Sequence, residues 1–288
     1  MTQPAKAVRR IAVLADLHFG TVNPDAIEAL LADLEAAEPH AVAIAGDLTL
    51  RAARGEYEAA AGFLARLRKP VLSVPGNHDI PAYNLLHRFA DPFGPWRRYI
   101  SPETEPVWHD DQVALLGLNT VRRMALHLDW SAGRVSRPQL DRLAARARDL
   151  AGRTLIVVAH HPPRHPPELD RAYPLARGDL AIETFLDAGI AAVVTGHLHR
   201  HDAYHDRGML FVQAGTALSS RLVGGQPNGW TMVTVAGGSV RAQARALIDG
   251  TWQDAPRPDQ PRPPARGDRV RSAYPVPAMP PGRASAAE

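Results

Sequence analysis

Seven side chains in this 288-residue sequence have the chemistry of metal ligands, and each stands just after a short apolar run. Asp16 and His18 follow Ile11 to Ala15, Asp47 follows Ala41 to Ala45, and Asn77 follows Val71 to Val74. His160 follows Thr154 to Ala159, and His197 and His199 follow Ile190 to Val194. The donors are carboxylate, imidazole and amide oxygen. The chain has no cysteine, which excludes thiolate sites, disulfides and a cysteine nucleophile. Such a nitrogen and oxygen set suits manganese, iron, zinc, cobalt or nickel better than magnesium or calcium alone. Seven donors are too many for one ion that must keep an open position. Two ions sharing a carboxylate divide them sensibly.

The elements that must position these residues can be read from the same pattern. Each apolar run is rich in β-branched residues and ends in turn residues (Gly46, Pro75-Gly76, Gly196), as a buried strand does. Between the first runs lie helical periods. Asn23 can cap a helix with Pro24 at its first position and Ile27, Leu30, Leu31 and Leu34 on one face. A second helix is expected from about Gly55 to Arg68. Strand, helix and strand in alternation imply right-handed βαβ units and a largely parallel inner sheet. Residues 97–119 change character and open a second sheet, with Val113 to Leu118 its clearest strand. A helix capped by Ser136 and one near Asp179 to Ala188 flank the later strands. Gly208 to Ile248 reads as three consecutive antiparallel strands. The fold class expected is α/β, a two-sheet αββα sandwich with flanking helices. The domain should cover residues 1–251. Residues 252–288 contain nine prolines and no apolar period, and are expected to form a disordered Pro/Arg-rich tail. Within it, Val270 to Val276 could dock.

Composition narrows the class. A hydrophobic fraction of 45% with 22% charged residues is ordinary for a globular protein. No run approaches the roughly 18 apolar residues of a membrane helix. The first strand begins too close to Met1 for a signal peptide, so a cytoplasmic protein is expected. A formal charge of +3 over this length is weak evidence for nucleic-acid binding, and no nucleic-acid partner is expected.

Taken in order, Asp16-x-His18, Gly46-Asp47, Gly76-Asn77-His78-Asp79, His160 before prolines, and Gly196-His197-x-His199 resemble the five signature blocks of the calcineurin-like metallophosphoesterases. The resemblance covers roughly residues 10–235. It implies that Asp16, His18 and His199 hold one ion, that Asn77, His160 and His197 hold the other, and that Asp47 bridges them. His160 is favoured over His161 because of its spacing to the prolines. His78 is implied to stand beside the site as the acid or charge-stabilising group. Two ions about 3.5–4 Å apart would activate a shared water for in-line attack on phosphorus. The cofactors implied are two metal ions, with manganese, iron or zinc expected, and the partner is a small phosphate ester.

Within that family the sequence lacks the Asp-Arg-Gly continuation and the Gly-Asn-His-Glu block of protein phosphatases. Its shape is similar to the bacterial class III cyclic-nucleotide phosphodiesterases and their broad-specificity relatives, which implies phosphodiester hydrolysis. The alternatives are a pyrophosphatase, a phosphomonoesterase or a non-catalytic scaffold. His87, His109, His127, His165, His201 and His205 lack the strand-end context and are expected at the surface or in hydrogen bonds, with His201 and His205 as second-tier contacts. Arg54, Arg122, Arg123, Arg164 and Arg221 lie in loops from which one or two could clamp a phosphate. The Arg-rich stretch 137–153 reads as a solvated helix face pairing with its own aspartates.

Overall fold

The computed structural model describes residues 7–22, 24–81, 85–122, 131–165 and 175–255. In chain order the elements are β1 (Arg9–Leu14), α1 (Pro24–Ala37), β2 (Ala41–Ala45), α2 (Arg54–Arg66), β3 (Val71–Val74), α3 (Leu85–Ala90) and α4 (Gly94–Tyr99). They continue with β4 (Val107–His109), β5 (Val113–Leu118), α5 (Arg137–Asp149), β6 (Thr154–Ala159), α6 (Gly178–Asp187) and β7 (Ile190–Thr195). The last strands are β8 (Asp202–Asp206), β9 (Met209–Gln213), β10 (Gly229–Ala236), β11 (Ser239–Ile248) and β12 (Thr251–Asp254). Asn23 and Val270 to Val276 lie outside the described residues, so neither the cap nor the docking segment can be placed. Among the described residues no helix is long and apolar enough to cross a membrane.

The strands form two six-stranded mixed sheets, ordered β12-β11-β10-β1-β2-β3 and β4-β5-β6-β7-β9-β8. Parallel pairing holds for β1-β2-β3 and for β5-β6-β7-β9, and antiparallel strands finish each sheet. The apolar runs explain the layering, because side chains alternate between faces of a strand. Ile11, Val13 and Ala15 point inward with Ala43, Val74, Leu115, Ile156, Val158 and Val194, and make the core between the sheets. Ala12, Leu14, Val42 and Ile44 point outward and pack on Leu30, Leu34, Tyr57 and Phe63 of α1 and α2. Leu116, Val157 and Val193 meet Leu140, Leu143, Ile182 and Phe185 of α5 and α6. Strands buried on both faces carry no polar alternation, and these do not. The two-sheet α/β sandwich is therefore the architecture found.

Three details differ from expectation. Residues 208–248 do not make one three-stranded antiparallel unit. β9 lies in the second sheet, parallel to β7 and paired with the hairpin strand β8, whereas β10 and β11 belong to the first sheet. A strand's own residues say how much of it is buried, not which sheet buries it. The connection 214–228 crosses between the sheets as a result. Second, the folded part runs past residue 251. Asp249-Gly250, both at positive φ (50° and 75°), turn the chain into β12, which buries Trp252. Such a two-residue turn is a strong hairpin signal. Third, the arginines of α5 do not pair with its own aspartates. Arg142 and Arg146 reach Glu105, and Arg153 donates to the Asp110 carbonyl.

Candidate metal centre

The parallel strands β1, β2 and β3 of one sheet and β6 and β7 of the other all end at the same side, and their carboxyl-end turns interlock. Asp16 N–H donates to Gly46 O (3.1 Å), His18 N–H to Asp47 O (3.0 Å), and Gly196 N–H to His160 O (3.1 Å). Five of the seven expected ligands sit at positive φ: Asp16 (51°), His18 (49°), Asp47 (54°), His197 (74°) and His199 (55°). Left-handed backbone costs a non-glycine residue roughly 1–2 kcal/mol. Its clustering at one end of the sheets marks a place where local stability has yielded to side-chain direction.

The glycines of the blocks permit the close approach. A Cβ at Gly76 would lie 2.1 Å from Asp47 Oδ1, one at Gly46 would lie 2.6 Å from His160 Nδ1, and one at Gly196 would lie 2.7 Å from Asp16 Oδ2.

All seven expected donors converge. His18 Nε2 and His199 Nε2 are 3.1 Å apart, and Asp16 Oδ1 is 3.5 Å from His199 Nε2 and 4.0 Å from His18 Nε2. On the other side, Asn77 Oδ1 is 3.1 Å from His160 Nε2 and 3.1 Å from His197 Nδ1. Asp47 Oδ2 stands between the groups, 3.8 Å from His18 Nε2 and 3.3 Å from His160 Nε2. Asp16, His18, Asp47 and His160 are buried, while Asn77 and His78 are half-buried and open the site to solvent.

The donors fit a cation. Backbone carbonyls engage the far nitrogen of three imidazoles: Thr49 O for His18, Ala45 O for His160 and Arg221 O for His199, at 3.2, 2.8 and 2.8 Å. A carbonyl only accepts, so each far nitrogen carries a hydrogen and each Nε2 faces the carboxylates, where its lone pair is open to an ion once any proton on it has left. Asp47 Oδ2 is buried yet has no hydrogen-bond partner. Burial opposes the charge on Asp47 and Asp16, but surrounding histidines outweigh it and hold both carboxyls below their usual range. Burial likewise lowers His160, yet Asp47 and Asp16 carry it up to about 9. Burial drives His18 down to about 3. Two buried carboxylates need positive charge beside them, which a proton on His160 supplies in the metal-free protein and a bound ion would supply in its place. Among the described residues, Asp16 with His18 and His199, and Asp47 with Asp16 and His160, form groups able to hold a metal ion.

A family model described as calcineurin-like phosphoesterase matches residues 9–201, a span that includes every one of these donors. The chain belongs to the calcineurin-like phosphoesterase family. No curated protein matches it in sequence. Among solved structures it is similar to a purple acid phosphatase, PPD1, of yellow lupin (Lupinus luteus), with a TM-score of 0.63 and 16% identity over 86% of this chain and 53% of that one. The chain thus spans about half of the lupin enzyme. It is also similar to a dimetal phosphatase from Danio rerio (TM-score 0.55, 12% identity, 81% of this chain and 98% of that one). A third likeness is to GAP50, the anchor in the inner membrane complex of Plasmodium (TM-score 0.58, 13% identity, 85% and 86%). At such identities these likenesses show the phosphoesterase fold alone, and an anchor shares it with two phosphatases.

The structure also sorts the remaining candidates within this phosphoesterase domain. His161 has both nitrogens engaged, by Thr120 Oγ1 and by Ser131 O (each 2.7 Å), whereas His160 faces Asp47 and Asn77. His78 donates from Nδ1 to Leu50 O (2.6 Å), and its Nε2 meets Arg221. His201 is half-buried against the 214–228 connection and accepts from Gly215 N–H. Arg54 pairs with Glu58, Arg164 with Asp179 and Asp206, and Arg122 donates to Ala132 O. Arg123, His87 and His127 fall outside the described side chains.

One important residue had no assigned role in the sequence reading. Asp79, fully buried, accepts from Thr49 N–H (2.8 Å), Thr49 Oγ1 (2.9 Å), Gly76 N–H (2.9 Å) and Leu48 N–H (3.2 Å), tying the Asp47 turn to the Asn77 turn. Burial and the charge of Asp47 raise its pKa to about 7. Its position in the third block was visible, but nothing local distinguishes a clamp from a ligand. Asp79→Asn removes one acceptor oxygen and aims an N–H at backbone donors. We expect a loss of about 2–5 kcal/mol, read by chemical denaturation, from two buried N–H groups left unpaired.

Proposed function

We propose that this chain is a two-metal phosphodiesterase acting on small phosphodiesters, with 3′,5′-cyclic nucleotides among the candidate substrates. Asp16, His18 and His199 would hold one ion, Asn77, His160 and His197 the other, and Asp47 both. The observation that carries this reading is the position of Asp47 Oδ2, buried, unpartnered and lying between His18 Nε2 and His160 Nε2. Bound there, two ions supply Lewis acidity toward the phosphate and lower the pKa of a water. Manganese, iron and zinc suit the nitrogen and oxygen donors.

The chain's own residues supply the rest. The carbonyls of Thr49, Ala45 and Arg221 fix the imidazole orientations before any ion arrives. Asp79 fixes the two turns that carry Asp47 and Asn77. His78, half-buried at the mouth, would serve the leaving oxygen only with a proton on Nε2, since its Nδ1–H is held by Leu50 O. The missing Asp-Arg-Gly continuation and the Asp in place of Glu after His78 favour small diesters over phosphoproteins.

A metal titration tests this. With manganese, iron or zinc added, the protein should hydrolyse bis-p-nitrophenyl phosphate faster than the corresponding monoester. It should also gain stability, about 2.7 kcal/mol at a hundredfold excess over the dissociation constant. Stabilisation by metal without hydrolysis would favour a metal-binding scaffold. A faster monoester, or a faster nucleoside diphosphate derivative than cyclic AMP or a glycerophosphodiester, would move the assignment within the family.

A further inference from the structure

The 214–228 connection is built against the centre rather than passing over it. Ala217 N–H donates to Ala15 O (3.1 Å) and Thr216 Oγ1 to Asp16 O (2.6 Å), while Asn228 Nδ2 holds Ser219 O (2.8 Å). Thr21 Oγ1 and Ser219 Oγ are 3.2 Å apart. On this braced segment stands Arg221. Its carbonyl orients His199, and its guanidinium Nη1 lies 3.3 Å from His78 Nε2. Because His78 Nδ1–H already donates to Leu50 O, Nε2 presents its lone pair and the guanidinium donates to it. The His78 ring in turn stands edge-on to the His18 ring, with centroids 4.8 Å apart. A planar, permanently charged fork is thus oriented at the mouth of a site whose other polar groups would be occupied by cations. The fork geometry matches the oxygens of a phosphoryl group.

We propose that Arg221 binds the substrate's phosphoryl group, donating to a non-bridging oxygen while His78 Nε2 holds the guanidinium in place. This rests on the phosphoesterase reading above. It places the Arg221 guanidinium in the substrate site, and it gives His78 a second task, positioning the arginine.

Substitution at Arg221 keeps the main-chain carbonyl that orients His199, so it isolates the guanidinium. The probes are manganese-loaded protein with orthophosphate, followed by calorimetry, and bis-p-nitrophenyl phosphate for turnover. Arg221→Ala should weaken orthophosphate binding and lower kcat/KM by about 10- to 100-fold each, the range of a hydrogen bond to a charged group. Its manganese-dependent rise in Tm should stay that of the wild type. Arg221→Lys should recover part of the loss, and added methylguanidinium should partly rescue Arg221→Ala. Leu222→Ala, in the exposed neighbour on the same segment, should bind orthophosphate normally. Orthophosphate binding by Arg221→Ala within twofold of the wild type would overturn the proposal. So would loss of the manganese-dependent Tm rise, which would place Arg221 in the architecture of the loop. Wild-type protein that hydrolyses no ester yet binds orthophosphate through Arg221 would sink the phosphodiesterase reading and leave this one standing. Active wild type with an unaffected Arg221→Ala would do the reverse.

Discussion

Asp47→Asn should lose hydrolysis by more than the roughly 100-fold that removing an outer-shell partner costs a metal enzyme. The side chain keeps its shape, but one oxygen is committed, since Asp47 Oδ1 accepts His78 N–H at 2.8 Å. The amide must therefore place its nitrogen where Oδ2 stood, aiming two N–H groups at His18 Nε2 and His160 Nε2 and offering no electron pair to an ion. The metal-dependent rise in Tm should shrink or vanish with the activity. Metal-free protein should lose stability as well, because Asp47 and the charge it induces on His160, 3.3 Å away, support one another in the buried site. Calorimetry with and without manganese, alongside turnover, separates these effects. A variant that still gains the full metal stabilisation and turns over within tenfold of the wild type would remove Asp47 from the centre.

Gly76→Ala should be nearly as damaging, for a reason of space rather than chemistry. The glycine has φ −105°, open to any residue, so backbone freedom is not what it supplies. The added methyl would sit 2.1 Å from Asp47 Oδ1 and 2.4 Å from Asp47 N, and that second atom is backbone. The two turns must move apart, which breaks the His78 N–H bond to Asp47 and shifts Asn77 relative to His160. A displacement of about 1 Å is enough for a 100-fold loss of rate, and overpacking adds about 1–3 kcal/mol of instability. Gly62→Ala in α2 is the matched control, because nothing lies within 4 Å of its added carbon. That change should leave turnover alone and stabilise the helix by up to about 1 kcal/mol. Equal effects of the two substitutions on activity would mean that the packing of turn on turn does not set the site.

Much of the sandwich could be read from the chain because its strands are buried on both faces. Ala41 to Ala45 and Leu155 to Ala159 have no polar position that would let them lie elsewhere, so strand identity followed from composition alone. Sheet membership did not follow. β9 is as apolar as β7, and only the crossing 214–228 decides that one hairpin joins the second sheet and the next the first. β12 was signalled by Asp249-Gly250 but hidden by the proline-rich composition that follows.

By itself the sequence determined which side chains are available as ligands. Carboxylate, imidazole and amide donors after strand ends, with no thiol anywhere, leave a narrow range of chemistry, and that depends on residue type and local turn propensity, both short-range properties. Tertiary structure decided the rest. That His160 rather than His161 faces the carboxylates depends on Ala45, more than a hundred residues earlier, supplying the carbonyl that turns the ring. That Asp79 is a clamp, and that Arg221 meets His78 across 143 positions, depends on two sheets presenting their carboxyl ends to one another. A hydrogen bond acts over about 3 Å, and whether two distant residues come within that range is fixed by how the sheets pack.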